Sequence, residues 1–425
     1  MSTSPAPRRA IVSWMVYDFA NSAFTTLVVT FVYATYFTEA IAPDSNTGTA
    51  LWSRGITASA IIIALLSPIM GALADRGGSR KVFLLISTVV CIAATVGLFF
   101  PLPGDVTQAL VWFVVANVAF EMANVFYNAY LPDLATPSTI GRISGYGWGA
   151  GYVGGLACMI LAWLVFINAD APPFGLLKDG THVRATNLLV AAWYAVFALP
   201  FFFLVEDPKG SDTSRGGLKA ALQQIKTTFT EVRRFRQIVR LLVARLVYND
   251  GLITIFAFGG IYAAGTFGFT TNEIFFFGIA LNVSAGVGAL LFGFLDDYVG
   301  GRWTILVSLV GLSAATVLAV LTTNVTLFWV SGILVGLLAG PNQSASRSLM
   351  GRFVPPAKET EFYGFFAFSG KFTAFMGPLF LGLLTEAFDS QRVGVSVVLV
   401  FFLVGGLLLL RVNEQEGIEL AGRNS

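Results

Sequence analysis

Charged residues and histidine are scarce in this sequence. Only 12% of its 425 residues are Asp, Glu, Lys or Arg, whereas a soluble domain carries roughly 25%. His182 is the only histidine, so we expect neither a histidine-based catalytic triad nor a histidine-rich metal site, and no cofactor is implied. A net charge of +2 is too small to suggest nucleic acid as a partner. We therefore do not expect an enzyme.

The motifs of nucleotide chemistry are also missing. No P-loop occurs, which argues against an ATP-driven pump. The stretch GAGYVG at 149–154 fits G-x-G-x-x-G, but it lies in a run of small and apolar residues, where close helix packing explains it better than a dinucleotide site. The two cysteines, Cys91 and Cys158, lie inside apolar runs and are expected to be buried.

Apolar residues dominate the chain: 56% of it is hydrophobic, with 44 glycines and 39 phenylalanines. A membrane-spanning helix needs about 20 mostly apolar residues. Twelve such stretches are present, over 12–38, 52–74, 81–101, 107–131, 142–167, 185–205, 240–266, 271–295, 303–322, 325–349, 361–385 and 392–411. We predict an all-α membrane protein with twelve transmembrane helices in two pseudo-symmetric six-helix bundles.

The basic residues predict the orientation, because Lys and Arg concentrate in cytoplasmic loops. One side of the twelve-span topology carries the basic stretch 206–240 together with Arg8, Arg9, Arg76, Arg80, Lys81, Arg142, Arg302, Arg352, Lys358 and Arg411. The opposite loops carry Arg54, Lys178, Arg184 and Arg392. Both termini are therefore expected in the cytoplasm, with residues 1–9 as a retained tail, and the short loops favour a bacterial inner membrane.

The two halves of the chain repeat each other. GALADRGGSR at 71–80 matches GFLDDYVGGR at 293–302, and Gly145 and Gly151 have the same spacing as Gly364 and Gly370. Six-plus-six duplication is typical of transporters with a substrate site near the bilayer midplane. We divide the chain into bundles at 1–205 and 240–425, joined by a cytoplasmic linker at 206–239.

The linker contains a predicted amphipathic helix. After the polar stretch EDPKGSDTSRGG, apolar residues recur at helical spacing, at Leu218, Leu222, Ile225, Phe229, Val232 and Val239. Lys and Arg occupy much of the remainder. This helix either lies on the cytoplasmic membrane surface or is a solvated connection between the halves.

Several motifs resemble the major facilitator superfamily. GALADRGGSRK looks like its signature between spans 2 and 3, with Ser79 in place of a basic residue. YDFANSAF (17–24), FYNAYLPDL (126–134), SGYGWGAGYVGG (144–155), YNDG (248–251), SRSL (346–349) and EFYGFFAFSGKFTAFMGP (361–378) together resemble the unknown-major-facilitator group, which is similar to the autophagy-related vacuolar amino-acid effluxers. The resemblance implies a polytopic transporter of small solutes whose cavity is lined by spans 1, 4, 7 and 10.

A polar face on span 1 is the first candidate site. Asp18 is followed by Asn21, Ser22 and Thr25 at i+3, i+4 and i+7, so the four share one helix face. They either line a cavity or lock span 1 to a neighbour near the inner gate. The second interpretation is favoured, because Asp18 lies nearer the cytoplasmic end than the midplane and has a counterpart at Asp250 in the second repeat.

Glu121, near the centre of span 4, is a stronger candidate for a substrate or proton site. It shares a polar face with Asn117, Asn124 and Asn128. A charge within a span costs about 2.5–3.5 kcal/mol or more and usually faces a cavity or a partner. Desolvation favours the neutral form of a carboxylate, as proton coupling requires. A purely structural ion pair is the alternative.

Lys371 lies near the middle of span 11, at a depth similar to that of Glu121. A lone lysine there needs an anion nearby. It either forms an ion pair with Glu121 across the pseudo-two-fold axis or binds a substrate carboxylate directly, and the sequence does not distinguish these arrangements.

Spans 7 and 10 supply further polar candidates. Arg245 and Asn249 lie one turn apart on span 7, although Arg245 is close enough to the cytoplasmic end for its head group to reach the interface. In span 10, GPNQSASR places Gln343 and Arg347 one turn apart, as candidates for cavity lining or the inner gate.

The repeated loops suggest a gate rather than a substrate contact. Carboxylate–guanidinium pairs at span ends can latch one half against the other in one access state. The candidate gating residues are Asp75, Arg76, Arg80, Lys81, Asp297, Arg302, Arg245 and Arg347.

We predict from these features a monomeric secondary transporter of a small polar solute that works by alternating access in the lipid bilayer. Amino acids are the leading candidate by resemblance, and proton coupling through Glu121 is a hypothesis. The alternative is a non-transporting receptor or scaffold that retains the transporter fold.

Overall fold

The computed structural model describes residues 6–77, 79–169, 173–176, 179–207, 218–230, 234–356 and 358–422, which form helices and no strands. Twelve helices are long and apolar enough to cross a membrane, which confirms the predicted number. Spans 1 to 12 are Arg8–Ile41, Ser45–Arg76, Arg80–Gly97, Val106–Leu134, Ile140–Ile167, Thr181–Leu204, Arg236–Phe267, Asn272–Val299, Gly301–Leu321, Val325–Phe353, Glu359–Phe388 and Gln391–Leu409. Short helices, Leu218–Thr230 and Glu414–Leu420, follow spans 6 and 12. Gly78, Lys178 and Val232 lie outside the described residues.

Spans 2 and 11 cross where the two halves meet, and glycine makes the crossing possible. Gly71 of span 2 lies against the backbone of Thr360, and Gly364 of span 11 lies against the backbone of Ser67. A side chain at either position would meet main-chain atoms that cannot move aside. Small residues let helix backbones approach closely in this way.

Spans 5 and 8 form the corresponding second crossing. Gly145 of span 5 lies against the carbonyl of Ala289, and Gly293 of span 8 lies against the backbone of Arg142. Gly71 and Gly293 are matched positions of the sequence repeat, as are Gly145 and Gly364. The repeat therefore marks the points at which the two bundles touch.

Two spans depart from regular helix near the middle of the bundle. Span 11 consists of Glu359–Lys371 and Met376–Phe388, separated by a turn directly after Lys371. Thr373 within this turn donates a hydrogen bond to the carbonyl of Leu246 at 2.9 Å, which ties the break to span 7. Span 1 changes to π-helix over Phe24–Phe31, which includes Thr25 at the end of its polar face. Both kinds of irregularity are common at functional sites.

The linker helix is shorter than the sequence suggested. Its described part is Leu218–Thr230, residues 234 and 235 form a turn, and residues 236–239 already belong to span 7. Its Ala221 and Gln224 are buried, while the Leu222 side chain is 47% exposed. The helix therefore packs on the transmembrane bundle through small and polar residues and keeps part of its apolar stripe free.

The G-x-G-x-x-G stretch lies within a helix, Ile140–Ala162, as its interpretation as a helix-packing motif predicted. Gly151, Gly154 and Gly155 face span 1, with Gly154 against the backbone of Phe19. Cys91 and Cys158 are both free and buried, as predicted.

We predict that Gly154→Ala lowers thermal stability in detergent, because the new methyl group would overlap the Phe19 backbone. Such overpacking costs about 1–3 kcal/mol. Gly382→Ala in span 11 is the matched control, since no atom lies within 4 Å of the position that its new methyl group would take, and alanine is the better helix former. Melting followed by intrinsic fluorescence measures both variants, and equal melting temperatures would contradict the packing argument.

Candidate functional site

An ion pair joins the two halves at mid-depth. The Lys371 ammonium of span 11 lies 2.7 Å from a carboxylate oxygen of Glu121 on span 4. Each residue stands near the middle of its span, and the side chains retain 30% and 17% exposure. A partly exposed ion pair between two bundles can exchange its partners for charged groups of a solute.

The polar faces of spans 1 and 4 meet beside this pair. Asn21 donates a hydrogen bond to the Asn124 side chain at 3.2 Å, and Ser22 donates to Asn21 at 3.4 Å. Asn117, in contrast, turns towards span 2 and donates to Ser59 at 2.8 Å, where it is buried. The sequence grouped Asn117, Asn124 and Asn128 with Glu121, but Asn117 faces span 2 and not span 1.

Arg245 and Asn249 hold the end of the helix that presents Lys371. Arg245 donates to the carbonyl of Phe366 at 2.7 Å and to the hydroxyl of Ser369 at 2.9 Å. Asn249 donates to the carbonyl of Gly370 at 3.2 Å. The Gly370 carbonyl is one of the last in this helix, which have no intrahelical partner, and a cation near a helix end is stabilising. Arg245 therefore bends onto span 11 and does not extend to the interface as the sequence allowed.

Arg347 is the centre of a buried network between the halves. Its guanidinium donates to Asp18 at 3.0 Å, to Asn128 at 3.2 Å and to the carbonyl of Ser144 at 2.7 Å, and it lies 4.8 Å from the centre of the Trp14 ring. Only 3% of Arg347 is exposed. Span 10 is thereby tied to spans 1, 4 and 5. Asp18 thus contacts the opposite half, as the interpretation of a lock near the gate required.

Asp250 does not share the environment of Asp18, its counterpart in the repeat. It is 1% exposed, and among the described residues the only donor beside its carboxylate is the backbone N–H of Gly377, which forms no well-aligned hydrogen bond with it. The repeat suggested equivalent roles for the two aspartates, but only the first meets an arginine. Gln343, one turn before Arg347, is half-buried on span 10.

Both copies of the repeated loop form latches across the halves. Asp75 accepts hydrogen bonds from the backbone N–H groups of Thr360 and Glu361 at 3.0 and 2.8 Å, at the start of span 11. Asp297 accepts from the N–H groups of Gly141 and Arg142 at 2.8 and 3.3 Å, at the start of span 5. Each carboxylate therefore caps the first turn of a helix in the opposite half, where anions are stabilised.

Salt bridges reinforce the two latches. Arg80 lies 2.9 Å from Asp133 and 3.2 Å from Glu359, and the latter contact crosses between halves. Arg142 lies 2.5 Å from Asp297 in the second latch. The sequence did not single out Asp133, Glu359 or Arg142 as gating residues, since a charge at a span end is usually exposed and unremarkable without its partner.

Three predicted gating residues bind elsewhere in the described contacts. Lys81 donates to the carbonyl of Val205, and Arg302 donates to that of Leu410, so both contact their own half. Arg76 donates to Gln224 of the linker helix at 2.6 Å. Gln224 in turn donates to Glu361 at 2.6 Å, so the linker helix bridges spans 2 and 11.

All these latches lie at one end of the bundle. That end carries both termini, because the number of spans is even, and it carries most of the Lys and Arg residues; we call it the basic end. Lipid offers no partners for charged groups, so the carboxylates and guanidiniums satisfy one another across the boundary. The halves are thus fastened together between the basic end and the Glu121–Lys371 pair.

Comparison with known proteins agrees with this architecture. A family model described as vacuole effluxer Atg22 like matches residues 45–422. The chain is similar to the uncharacterized MFS-type transporter YxiO of Bacillus subtilis, at 26% identity over 412 residues and 96% of each chain. It is also similar to autophagy-related protein 22 of Yarrowia lipolytica, at 24% identity, over 82% of this chain and 73% of that protein.

Among solved structures, the chain resembles the major facilitator superfamily proton:xylose symporter XylE. The TM-score is 0.75 at 14% sequence identity, covering 96% of each chain. At this identity the likeness shows the fold, which is the twelve-helix arrangement that the sequence predicted.

We predict strong energetic coupling between Asp18 and Arg347, because removing one member of a buried pair leaves the other charge unpaired, at about 3–5 kcal/mol. The variants Asp18→Asn and Arg347→Gln, singly and together, define a double-mutant cycle measured by thermal unfolding in detergent. The exposed pair Arg236 and Glu416 is the control, since such pairs contribute about 0.2–1 kcal/mol. Coupling no larger than that of the control pair would refute the role of the Asp18–Arg347 pair in joining the halves.

Proposed function

Because the chain belongs to the vacuole effluxer Atg22-like family and has the major facilitator fold, we propose that it moves a small polar solute across the membrane by alternating access. The proposal is supported above all by the Glu121–Lys371 ion pair, which joins the halves at mid-depth and stays partly exposed. In a polytopic membrane protein whose relatives are transporters, such a pair can bind the charged groups of a solute. The solute is the substrate, and no chemical conversion is proposed.

The charges at this site favour a zwitterion, with amino acids as the leading class. Glu121 would accept a solute ammonium, and Lys371 would bind a solute carboxylate. A zwitterion replaces both members of the pair at once, so neither side chain is left unpaired in a medium of low dielectric constant. Asn21 and Asn124, which hydrogen-bond to each other nearby, supply neutral donors and acceptors for the solute backbone.

We propose that the latches at the basic end hold one access state. Asp75 and Asp297 bind helix starts of the opposite half, and these bonds must break before the basic end can open. Solute binding helps the halves to separate, because the solute replaces the Glu121–Lys371 bond that joins them at mid-depth. A bistable set of contacts of this kind produces two discrete states.

The chain is an integral multi-pass membrane protein, and we propose a bacterial inner membrane as its location. The excess of Lys and Arg at the basic end supports a cytoplasmic position for that end and for both termini. We propose a monomer as the working unit, since the site lies between the two halves of one chain. Coupling to protons is considered below.

We predict that Glu121→Gln and Lys371→Gln each lower transport of the recognised amino acid, because each removes one charged partner of a zwitterion. Hydrogen bonds to charged groups contribute about 1.5–3 kcal/mol, so transport efficiency should fall about 10- to 100-fold. Glu386→Gln, at an exposed site near the other end of span 11, is the matched control. The measurement is uptake of labelled amino acids into proteoliposomes.

Wild-type uptake with no loss in either variant would disprove the site. Binding of an amino acid without its uptake would favour the receptor or scaffold alternative.

We predict that Asp75→Ala opens the basic end more often, since it removes two charge-assisted hydrogen bonds across the halves. Ser344→Cys reports the opening. Ser344 is 2% exposed, and its carbonyl accepts a hydrogen bond from Ser144 of the opposite half. Its own hydroxyl makes no hydrogen bond among the described residues, so the substitution removes none. A membrane-impermeant maleimide should label it at least about tenfold faster in the Asp75→Ala background, from inside-out vesicles only.

Asp44→Ala is the control for this labelling experiment. Asp44 likewise accepts two backbone N–H bonds at a helix start, from Asn46 and Thr47, but within one half and at the opposite end. Equal labelling rates in the two backgrounds would contradict the latch, and labelling from right-side-out vesicles would reverse the proposed orientation.

A further inference from the structure

We propose that Asp250 is the group that carries the coupling proton, separate from the solute site at Glu121 and Lys371. This inference rests on the proposed transport function. Asp250 lies near the middle of span 7, which runs from Arg236 to Phe267. It is 1% exposed, no cation contacts it among the described residues, and the backbone N–H of Gly377 beside it forms no well-aligned hydrogen bond with either carboxylate oxygen.

An ionised carboxylate in this position would be costly. Burying a charge without a partner costs several kcal/mol, whereas a neutral acid buried in the same place costs far less. Other carboxylates at or near this depth have cations: Glu121 has Lys371, and Asp18 has Arg347. Asp250 stands apart because its environment suits a bound proton rather than a cation.

The titratable groups around Asp250 are engaged elsewhere. On its own helix, Arg245 binds the carbonyl of Phe366, and the Tyr248 hydroxyl pairs with Ser346 at 2.8 Å. The neighbouring spans contribute Lys371 and Tyr363 on span 11 and Arg347 on span 10. Lys371 binds Glu121, the Tyr363 hydroxyl donates to the Arg347 carbonyl, and the Arg347 side chain binds Asp18. Spans 8 and 12 carry no titratable residue over 274–295 and 393–409.

A cavity inside the C-terminal half keeps Asp250 apart from water on the side away from the basic end. It begins at Thr254, one turn beyond Asp250, and extends between spans 7, 8, 9, 10, 11 and 12, with a volume of about 40 Å³. Four hydroxyls line it, and each donates to a backbone carbonyl: those of Thr254, Tyr262, Thr316 and Ser331. The rest of the wall is apolar, and such cavities stay dry. The proton therefore reaches Asp250 when the halves separate.

Asp250 is also mechanically linked to the solute site. Asn249, its neighbour, donates to the carbonyl of Gly370, directly before Lys371. Beyond the break in span 11, Gly377 lies against the Thr254 hydroxyl, which leaves no room for a side chain, and close to the carbonyl of Asp250. The two parts of span 11 thus rest on span 7 on either side of this aspartate. Loss of the proton creates a negative charge beside the break, which favours movement of Lys371 away from Glu121.

The first experiment detects the proton without any substrate. Purified protein in lipid is titrated while infrared difference spectra follow the carbonyl stretch of protonated carboxylic acids. We expect one such band to disappear in Asp250→Asn, to shift but persist in Asp250→Glu, and to remain in Glu121→Gln. A band unchanged in Asp250→Asn, or lost in Glu121→Gln, overturns the proposal. Thermal unfolding of each variant verifies folding, and Asp250→Glu keeps the test decisive if Asp250→Asn does not fold.

The second experiment uses proteoliposomes and an equimolar mixture of labelled amino acids as the probe. With one coupled proton, a gradient of one pH unit drives about tenfold accumulation in the wild type. Asp250→Asn should exchange solute across the membrane at equal concentrations but accumulate none. Proton-driven accumulation that survives in Asp250→Asn, or accumulation that follows sodium instead of protons, overturns the assignment. If the wild type moves none of the probe, the transport function fails, while the infrared result still decides whether Asp250 holds a proton.

Discussion

The guanidinium of Arg347 reaches out of the C-terminal half and ends among Asp18, Asn128 and Ser144 of the N-terminal half, buried from solvent and lipid. A charge in that position cannot be left alone, since the membrane interior supplies neither water nor counter-ions. The two bundles therefore complete each other's polar groups. Glycine at the crossings of spans 2 with 11 and 5 with 8 brings the backbones close enough for these contacts to form.

The same constraint explains how a transporter of this kind can move. Bonds between halves are strong when made, but each is local, so the set can break at one end while the rest of each bundle stays intact. Such a change requires spans to bend near the middle of the bundle, where span 11 is broken and span 1 is π-helical. The latches at Asp75 and Asp297 are capped helix starts, which re-form in a defined geometry because the N–H groups are fixed by the helix.

The two halves repeat the same sequence motifs, but not all of the matched charged residues lie in similar surroundings. Asp75 and Asp297 keep the same role in both copies, each capping a helix of the other half. Asp18 and Asp250 do not, because span 10 places an arginine opposite the first and no cation among the described residues reaches the second. This asymmetry separates a structural pair from a group that we propose to be free to exchange a proton.

Much of the architecture could be predicted from the sequence, because lipid enforces long apolar helices and a positive-inside bias that local composition records. The count of twelve spans, the buried cysteines and the packing origin of the glycine motif all follow from residues close in the chain. Partner choice does not, since it depends on contacts between residues more than a hundred positions apart. The sequence offered Glu121 and Lys371 as a possible pair, but only the fold brings them to 2.7 Å, turns Arg245 onto span 11 and leaves Asp250 without a cation among the described residues.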